Sequence, residues 1–485
     1  MLNFQSSKQY TLFLAVILVT AVLFVFLIPI YQGPDEQIHY GTIQYQAEPK
    51  EKTWSLLENQ NYSIDGNDIA SFHLSEETIQ GGKLNQFDEI KWQSENIQNF
   101  LPLHQSLNKE NSFEERNYKQ YIDIYPSNAS GTNSFYYIVT SQIEKATNTF
   151  TFFERFYNAR LFSALLYLGT VLITYLITKR LFSSSLHQTL FTLLVAFQPM
   201  LLATGTIVNI DIALIFSFTL FFLGALGILR DPTAKVFYAI LLFSLVLAFY
   251  SKGPGIALLP VALLLSAYLF QKKYHFSTKT LLQITAGAML LFVLLLVFVV
   301  PHAYLASITN AGAHSAFDSP YHSLHAYISK TSSLDAMLRT HTSYWGNFGW
   351  LDTKMNTSLL HTIALIEVIA WLGIILFFLS QKIKSYLPKK LIIILSLGVI
   401  FSLQLAIRFY DWRVFDTAGK VVIGTPGRYF LPTIIPHMLI LVTGLGFLFT
   451  KNKAQFTTLL KALTLGMILL CLYSIFNVII PRYYL

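Results

Sequence analysis

Apolar runs alternate with short polar stretches along almost the whole chain. Eleven of them are long enough to predict membrane-spanning helices, near 10–30, 158–178, 187–206, 211–229, 236–251, 254–270, 280–300, 358–380, 389–408, 429–449 and 458–480. At ~1.5 Å per residue, about 20 apolar residues match a hydrocarbon core of ~30 Å. No small-x-small cleavage site follows the first run, and only Lys8 precedes it, so it reads as an uncleaved span. No internal repeat is visible. The chain divides into a first span (1–30), a long loop (31–157), spans two to seven (158–300), a second long loop (301–357) and spans eight to eleven (358–485).

The first loop has its own pattern. Residues 48–127 are rich in Asn, Gln and Glu, as expected of a partly folded insert. The following "NSFYYIVTSQIEK" puts Phe135, Ile138, Val139 and Ile143 at helical spacing, which suits a helix lying along the membrane interface.

Composition supports the same class. The chain is 53% hydrophobic and 12% charged, with mean hydropathy +0.49. That is too little charge to cover a soluble surface, so the expectation is an all-α polytopic membrane protein. The single cysteine, Cys471, lies in an apolar run, which excludes an intramolecular disulfide and a thiolate metal site. The net charge of +8 is uneven: residues 31–155 hold 18 Asp/Glu against 9 Lys/Arg, leaving 8 and 25 elsewhere. The basic excess falls in short loops between spans, a signature of membrane topology and not of nucleic-acid binding.

Those loops set an orientation. "KRLFSSS", "RDPTAK", "QKKYHFSTK", "QKIKSYLPKK" and "KNK" fall on one side when the N-terminus is cytoplasmic, as the positive-inside rule requires. The loops 31–157, 301–357 and 408–428 then lie outside, with the turns "TIVNID" and "SKGPG". Asn61, Asn128 and Asn356 open glycosylation sequons, which matter only in a host that uses them.

Several charges break the rule. Lys252 follows a span, and Arg408, Arg413, Lys420 and Arg428 cluster near a late one. Outer cations beside a membrane need partners. Asp411 and Asp416 are close to Arg413 in sequence and could pair with it. A lipid-linked phosphate is the alternative, favoured for Lys252 and Arg428 because each abuts a span and a Gly/Pro break.

Behind the first span stands "GPDEQIHY". Pro34 suits a first helical turn, with Asp35 and Glu36 favourable at its positive end. Asp35 and His39 share a face at i,i+4 and could hold a metal, although one acid and one His form a weak ligand set. The sharper reading is catalytic. A sugar on a lipid phosphate already carries a good leaving group. What the reaction needs is a base for the attacking hydroxyl and cations for the departing charge. "TGTIVNIDIALIF" places Asn209 and Asp211 at a span start, as helix caps or as a polar wall of the site. "YWGNFGW" offers Trp345 as an interface anchor or a stacking surface. The five histidines of 301–357 read as solvated loop residues, with His322 and His325 a faint metal hint.

These segments together, with "ERFYNARLFSALLYLGTVLITYLITKRLF", "FQPMLLATGTIVNIDIAL", "KGPGIALLP", "SYWGNFGWLD" and "GRYFLP" in this order, resemble the DUF2142 family of bacterial multi-pass membrane proteins, allied to GT-C glycosyltransferases. The resemblance implies a GT-C-like helical fold, a catalytic acid in the first outer loop and polyprenyl-phosphate sugars as donors. By position it assigns the acid pair to Asp35 and Glu36 with His39 beside it. It assigns the span-start pair to Asn209 and Asp211, the basic residue after the fifth span to Lys252, and the late Gly-Arg-Tyr to Gly427, Arg428 and Tyr429. The chain departs from the family in lacking His-Pro-Pro before Tyr136–Tyr137, and in having Ile210 between Asn209 and Asp211.

The expectation is an inverting glycosyltransferase of the bacterial cytoplasmic membrane, acting on its outer face to build envelope glycans. Asp35 is the expected base, with Glu36 and His39 orienting it or holding an optional Mg or Mn ion. Lys252, Arg428 and Tyr429 are expected to bind the donor, with Arg413, Asn209, Asp211 and Trp345 as further substrate contacts. The rivals are an outer-face glycan polymerase or ligase using lipid pyrophosphates, and a lipid-linked sugar flippase. A flippase should carry ionisable residues at the midplane, where Glu367 is the exception here.

Overall fold

The computed structural model describes residues 7–48, 63–64, 67–68, 72–84, 118–121, 134–274, 319–381, 384–418 and 426–485. Among these, seven helices are long and apolar enough to cross a membrane: Phe152–Leu181, Asp211–Arg230, Gly253–Tyr274, Thr357–Leu379, Lys390–Trp412, Gly427–Phe449 and Lys453–Tyr484. Three shorter apolar helices, Leu14–Leu27, Ser185–Ala196 and Lys235–Phe249, stand at other expected spans. The expected span 280–300 lies outside the described residues. The protein is an all-α polytopic membrane protein, and the sheet among the described residues consists of two-stranded antiparallel pairs.

The expected span 187–206 is not one continuous helix. It stops at Ala196, and a second helix, Pro199–Thr204, follows. Pro199 has no N–H to continue the ladder, so the chain restarts there. Gln198 caps the new helix by accepting from Leu201 N (2.5 Å) and donates to Tyr344 O (2.8 Å), tying the break to a distant segment.

Burial separates centre from periphery. The Asp211–Arg230 and Gly427–Phe449 spans are mostly enclosed, whereas the Thr357–Leu379 span is mostly open. It turns Leu365, Val368, Leu372, Ile375 and Leu379 outward, as a lipid-facing helix does. Its inner face crosses the Ile434–Phe449 helix at small residues: a Cβ on Gly373 would overlap the Gly444 backbone, and one on Gly444 the Ala370 carbonyl.

The helix expected at the interface forms as Phe135–Ala146. Ile138 is exposed, while Tyr136, Tyr137, Thr140, Ser141 and Glu144 are buried. The rest of the expected stripe, Phe135, Val139 and Ile143, is half-buried, and Gln142 and Lys145 are exposed beside Ile138. The polar face is used inside. Arg155 pairs with Glu77 and with Glu144 (3.0 Å), Tyr40 O–H donates to Glu144 (3.1 Å), and Gln44 donates to Glu77 (2.6 Å). This network fixes the insert helix Glu76–Leu84 against the helix Glu36–Ala47.

The basic turns gather away from the acidic motif. Arg180 lies over the Phe237 ring, Lys384 donates to Phe447 O (2.6 Å), and His187 bonds Thr457 (2.8 Å). The starts of the Asp211 and Gly427 spans and the turn at Lys252 form the other end, where the motif behind the first helix meets them.

Candidate functional site

The segment after the first helix is held in an unusual shape. Tyr31 (φ 63°) and Asp35 (φ 60°) both adopt the left-handed conformation, which costs a non-glycine residue on the order of 1–3 kcal/mol. Packing and hydrogen bonds over-determine this turn. Trp350 Nε1 donates to Tyr31 O (2.9 Å), and Asn209 Nδ2 reaches Pro34 O (3.4 Å).

Arg160 does most of the fixing. Its guanidinium donates to the carbonyls of Val25 (2.7 Å), Ile28 (2.5 Å) and Pro29 (2.9 Å), at and just past the end of the first helix. It also forks onto Glu36, with Nε to Oε1 and a terminal nitrogen to Oε2, both at 2.7 Å. Glu36 additionally accepts from Val208 N (2.9 Å) and Tyr31 N (3.1 Å). Both side chains are 0% exposed. Glu36, expected beside Asp35 in the chemistry, is therefore turned inward with both oxygens occupied. Adjacent helix positions point about 100° apart, so two neighbouring acids cannot face one site.

Asp35 faces the other way. It stands at the N-cap of the helix Glu36–Ala47 but makes no side-chain cap bond. Its Oδ2 instead accepts from Arg428 (2.8 Å). Arg428 Nε lies 3.6 Å from Asp211 Oδ2, and Asp211 Oδ1 accepts from Lys252 Nζ (2.6 Å). Asp35, Arg428, Asp211 and Lys252 thus form a ladder of alternating charge, assembled from four distant parts of the chain. Its middle is sealed and its ends are open: Arg428 and Asp211 are 6% and 4% exposed, Asp35 and Lys252 28% and 26%. Neither Arg428 Nε nor Asp211 Oδ2 has a hydrogen-bond partner within 3.5 Å. Tyr429 floors the ladder, its ring 4.3 Å from Lys252 Nζ and 5.1 Å from Arg428 Cζ.

The partners of Lys252 and Arg428 in this structure are carboxylates, so the phosphate expected for them would have to share or displace these pairs. Partial burial works against the Lys252 charge, but Asp211 and Tyr429 outweigh it and hold its pKa above the usual lysine range. Asn209 caps the Asp211 helix, its Oδ1 accepting from Asp211 N (2.8 Å). The inserted Ile210 thus divides the labour, with Asn209 on the backbone and Asp211 on the cations.

His39 borders the ladder. Burial pulls its pKa down to about 4, overriding the upward pull of Asp35 and Asp211. Burial raises the Tyr137 hydroxyl well above its usual range, so that hydroxyl keeps its proton and shares a hydrogen bond with His39 Nδ1 (2.5 Å). The imidazole is neutral at pH 7. Because the folded pKa lies below the unfolded 6.5, this residue costs stability as pH falls from 6.5 towards 4, and nothing above that window. Thermal unfolding in detergent between pH 7.5 and 4.5 is expected to show this acid loss, and His39→Gln should flatten it. An identical slope in the variant would contradict the assignment.

A divalent cation does not fit here. Asp35 is engaged by Arg428 and His39 by Tyr137, two cations flank the carboxylates, and among the described residues no group of three or more His, Cys, Asp or Glu could hold a metal. Trp345 lies elsewhere, with Nε1 donating to Glu367 (2.9 Å). Arg413 falls on the helix Lys390–Ala418, and its side chain lies outside the described residues. His341, expected in solvent, lies 2.9 Å from Glu367.

Sequence reasoning missed Arg160, although a signal existed. It is a lone arginine just inside an apolar span, and such residues are buried against a partner.

The comparisons agree with the architecture. The family model DUF2142, described as a predicted membrane protein, matches residues 18–437. No curated protein matches the chain. The motif at residues 33–40, the span start at 209–211, Lys252 and Arg428 all fall within the matched region, and the chain belongs to the DUF2142 family of predicted membrane proteins.

Proposed function

We propose that the protein transfers a sugar from a polyprenyl-phosphate donor to an envelope-glycan acceptor, with inversion, on the outer face of the bacterial cytoplasmic membrane. The observation that carries this reading is the ladder Asp35–Arg428–Asp211–Lys252, which joins a quarter-exposed carboxylate to two cations at one end of the span bundle. The basic turns at the other end support the reading that this other end faces the cytoplasm. The sequence resemblance to proteins allied with GT-C enzymes points the same way, as analogy only.

Asp35 accepts the proton of the acceptor hydroxyl as its oxygen attacks the anomeric carbon from the face opposite the phosphate. The bond between that carbon and the phosphate oxygen breaks, and the electron pair leaves with the phosphate. Arg428 and Lys252 hold the growing negative charge. In the free protein Arg428 holds Asp35 (2.8 Å), so the base is covered. A donor phosphate competes for the guanidinium and uncovers the carboxylate where the acceptor hydroxyl must be activated. Glu36 plays no part in proton transfer; it fixes the turn that presents Asp35.

The test is direct binding of polyprenyl phosphate to the protein in nanodiscs. A hydrogen bond to a charged group contributes ~1.5–3 kcal/mol, so Lys252→Gln and Arg428→Gln are each expected to weaken binding about 10–100-fold. Unchanged affinity in both variants would remove the cations from donor recognition.

A further inference from the structure

A further buried polar cluster, which the ladder does not use, lies along the Thr357–Leu379 span at Glu367. Glu367 Oε1 lies 2.9 Å from His437 Nε2 and accepts from Trp345 Nε1 at 2.9 Å; Oε2 lies 2.9 Å from His341 Nε2. Tyr344 O–H is 2.8 Å from His437 Nδ1. With the tyrosine donating there, His437 carries its proton on Nε2 and presents it to Glu367. The Gly373–Gly444 crossing sets His437 opposite Glu367, since each lies one to two turns from its glycine. An ionisable residue at membrane depth is costly, and one surrounded by so many groups has a task.

That task is visible in what the cluster holds. His341, Tyr344 and Trp345 all belong to the last turns of the helix Leu334–Trp345. The same turns press on Gly427: its N–H donates to Ser343 Oγ (2.5 Å), and a Cβ there would overlap Thr340 O and the Tyr344 backbone. Arg428 is the next residue. We propose that Glu367 is a positioning residue for Arg428, clamping the Leu334–Trp345 helix so that Gly427 seats on it and the guanidinium faces Asp35. Trp345, expected on the substrate, acts through this clamp. The inference deepens the proposed function and rests on Arg428 binding phosphate.

The test is a double-variant cycle on polyprenyl phosphate binding, using full-length protein in nanodiscs, with thermal unfolding in parallel. Glu367→Gln keeps the shape and removes the charge. It is expected to weaken binding about tenfold in the wild-type background and less than twofold beside Arg428→Gln, because it acts through that residue. Trp345→Phe, which removes the indole N–H together with part of the ring, should show the same pattern at about threefold and serves where Glu367→Gln does not fold. Equal losses in both backgrounds would show a general structural role and overturn the proposal, as would no loss in either variant. Wild-type affinity in Arg428→Gln alone would instead strike the phosphate reading itself, and this role for Glu367 with it.

Discussion

Asp35→Asn is expected to slow sugar transfer by about 10²–10⁴-fold, the range in which a positioned general base contributes. The asparagine keeps the shape and still faces Arg428, but it cannot take the acceptor proton. Donor binding should survive and become tighter, because Asp35 competes with phosphate for Arg428 in the free protein. This opposite movement of rate and affinity separates loss of a base from loss of fold. Single-turnover transfer from a polyprenyl-phosphate sugar, read beside polyprenyl phosphate binding, measures both. A variant that transfers at the wild-type rate would remove Asp35 from the chemistry. One that loses donor binding in step with rate would make it a structural residue.

The second large effect is on stability. Arg160→Met leaves Glu36 buried with half of its hydrogen bonds and no countercharge, and it takes the guanidinium from the carbonyls of Val25, Ile28 and Pro29, of which Pro29 keeps the Gln32 N–H (3.1 Å). Breaking a fully buried ion pair by removing one partner costs about 3–5 kcal/mol. The double variant Arg160→Met/Glu36→Gln should recover part of this loss, since no charge remains buried. It should not recover all of it, because the Val25 and Ile28 carbonyls still lack the guanidinium and the Tyr31 and Val208 N–H groups keep only a neutral acceptor. Unfolding followed in mild detergent gives the cycle. A double variant no better than Arg160→Met would show that the carbonyl caps, and not the ion pair, hold this corner.

How much of this was legible follows from the range of each signal. The apolar runs are local, and the helices at 211–230, 357–379 and 453–484 match the expected spans closely. Lys252 and Arg428 could be nominated because an outer cation beside a span breaks a local rule, Asp35 and Asp211 because they are acids at a helix or span start, and the fold places those four in one ladder. Their mutual pairing was not legible, since Arg428 and Asp35 are 393 positions apart. Glu36 and Asp35 look equivalent in "GPDEQIHY"; Arg160, 124 positions from Glu36, and Arg428, 393 positions from Asp35, separate the structural acid from the one in the ladder. The break at Pro199 had a local cue in "FQP", but hydrophobicity ran through it. The buried polar face of Phe135–Ala146 was hidden for the same reason. Its partners Arg155 and Glu77 lie in other segments, so only its apolar stripe was readable.

The central claim is chemical: a bond between sugar and lipid phosphate is broken and a glycan is extended. The most direct measurement incubates the purified protein in liposomes with a polyprenyl-phosphate sugar and envelope-glycan acceptors, then follows lipid and glycan by mass spectrometry and the new linkage by NMR. The account predicts one polyprenyl phosphate released for each sugar gained, with inverted anomeric configuration, both lost in Asp35→Asn. Intact lipid-linked sugar crossing the bilayer, with no phosphate released and no glycan extended, would contradict it.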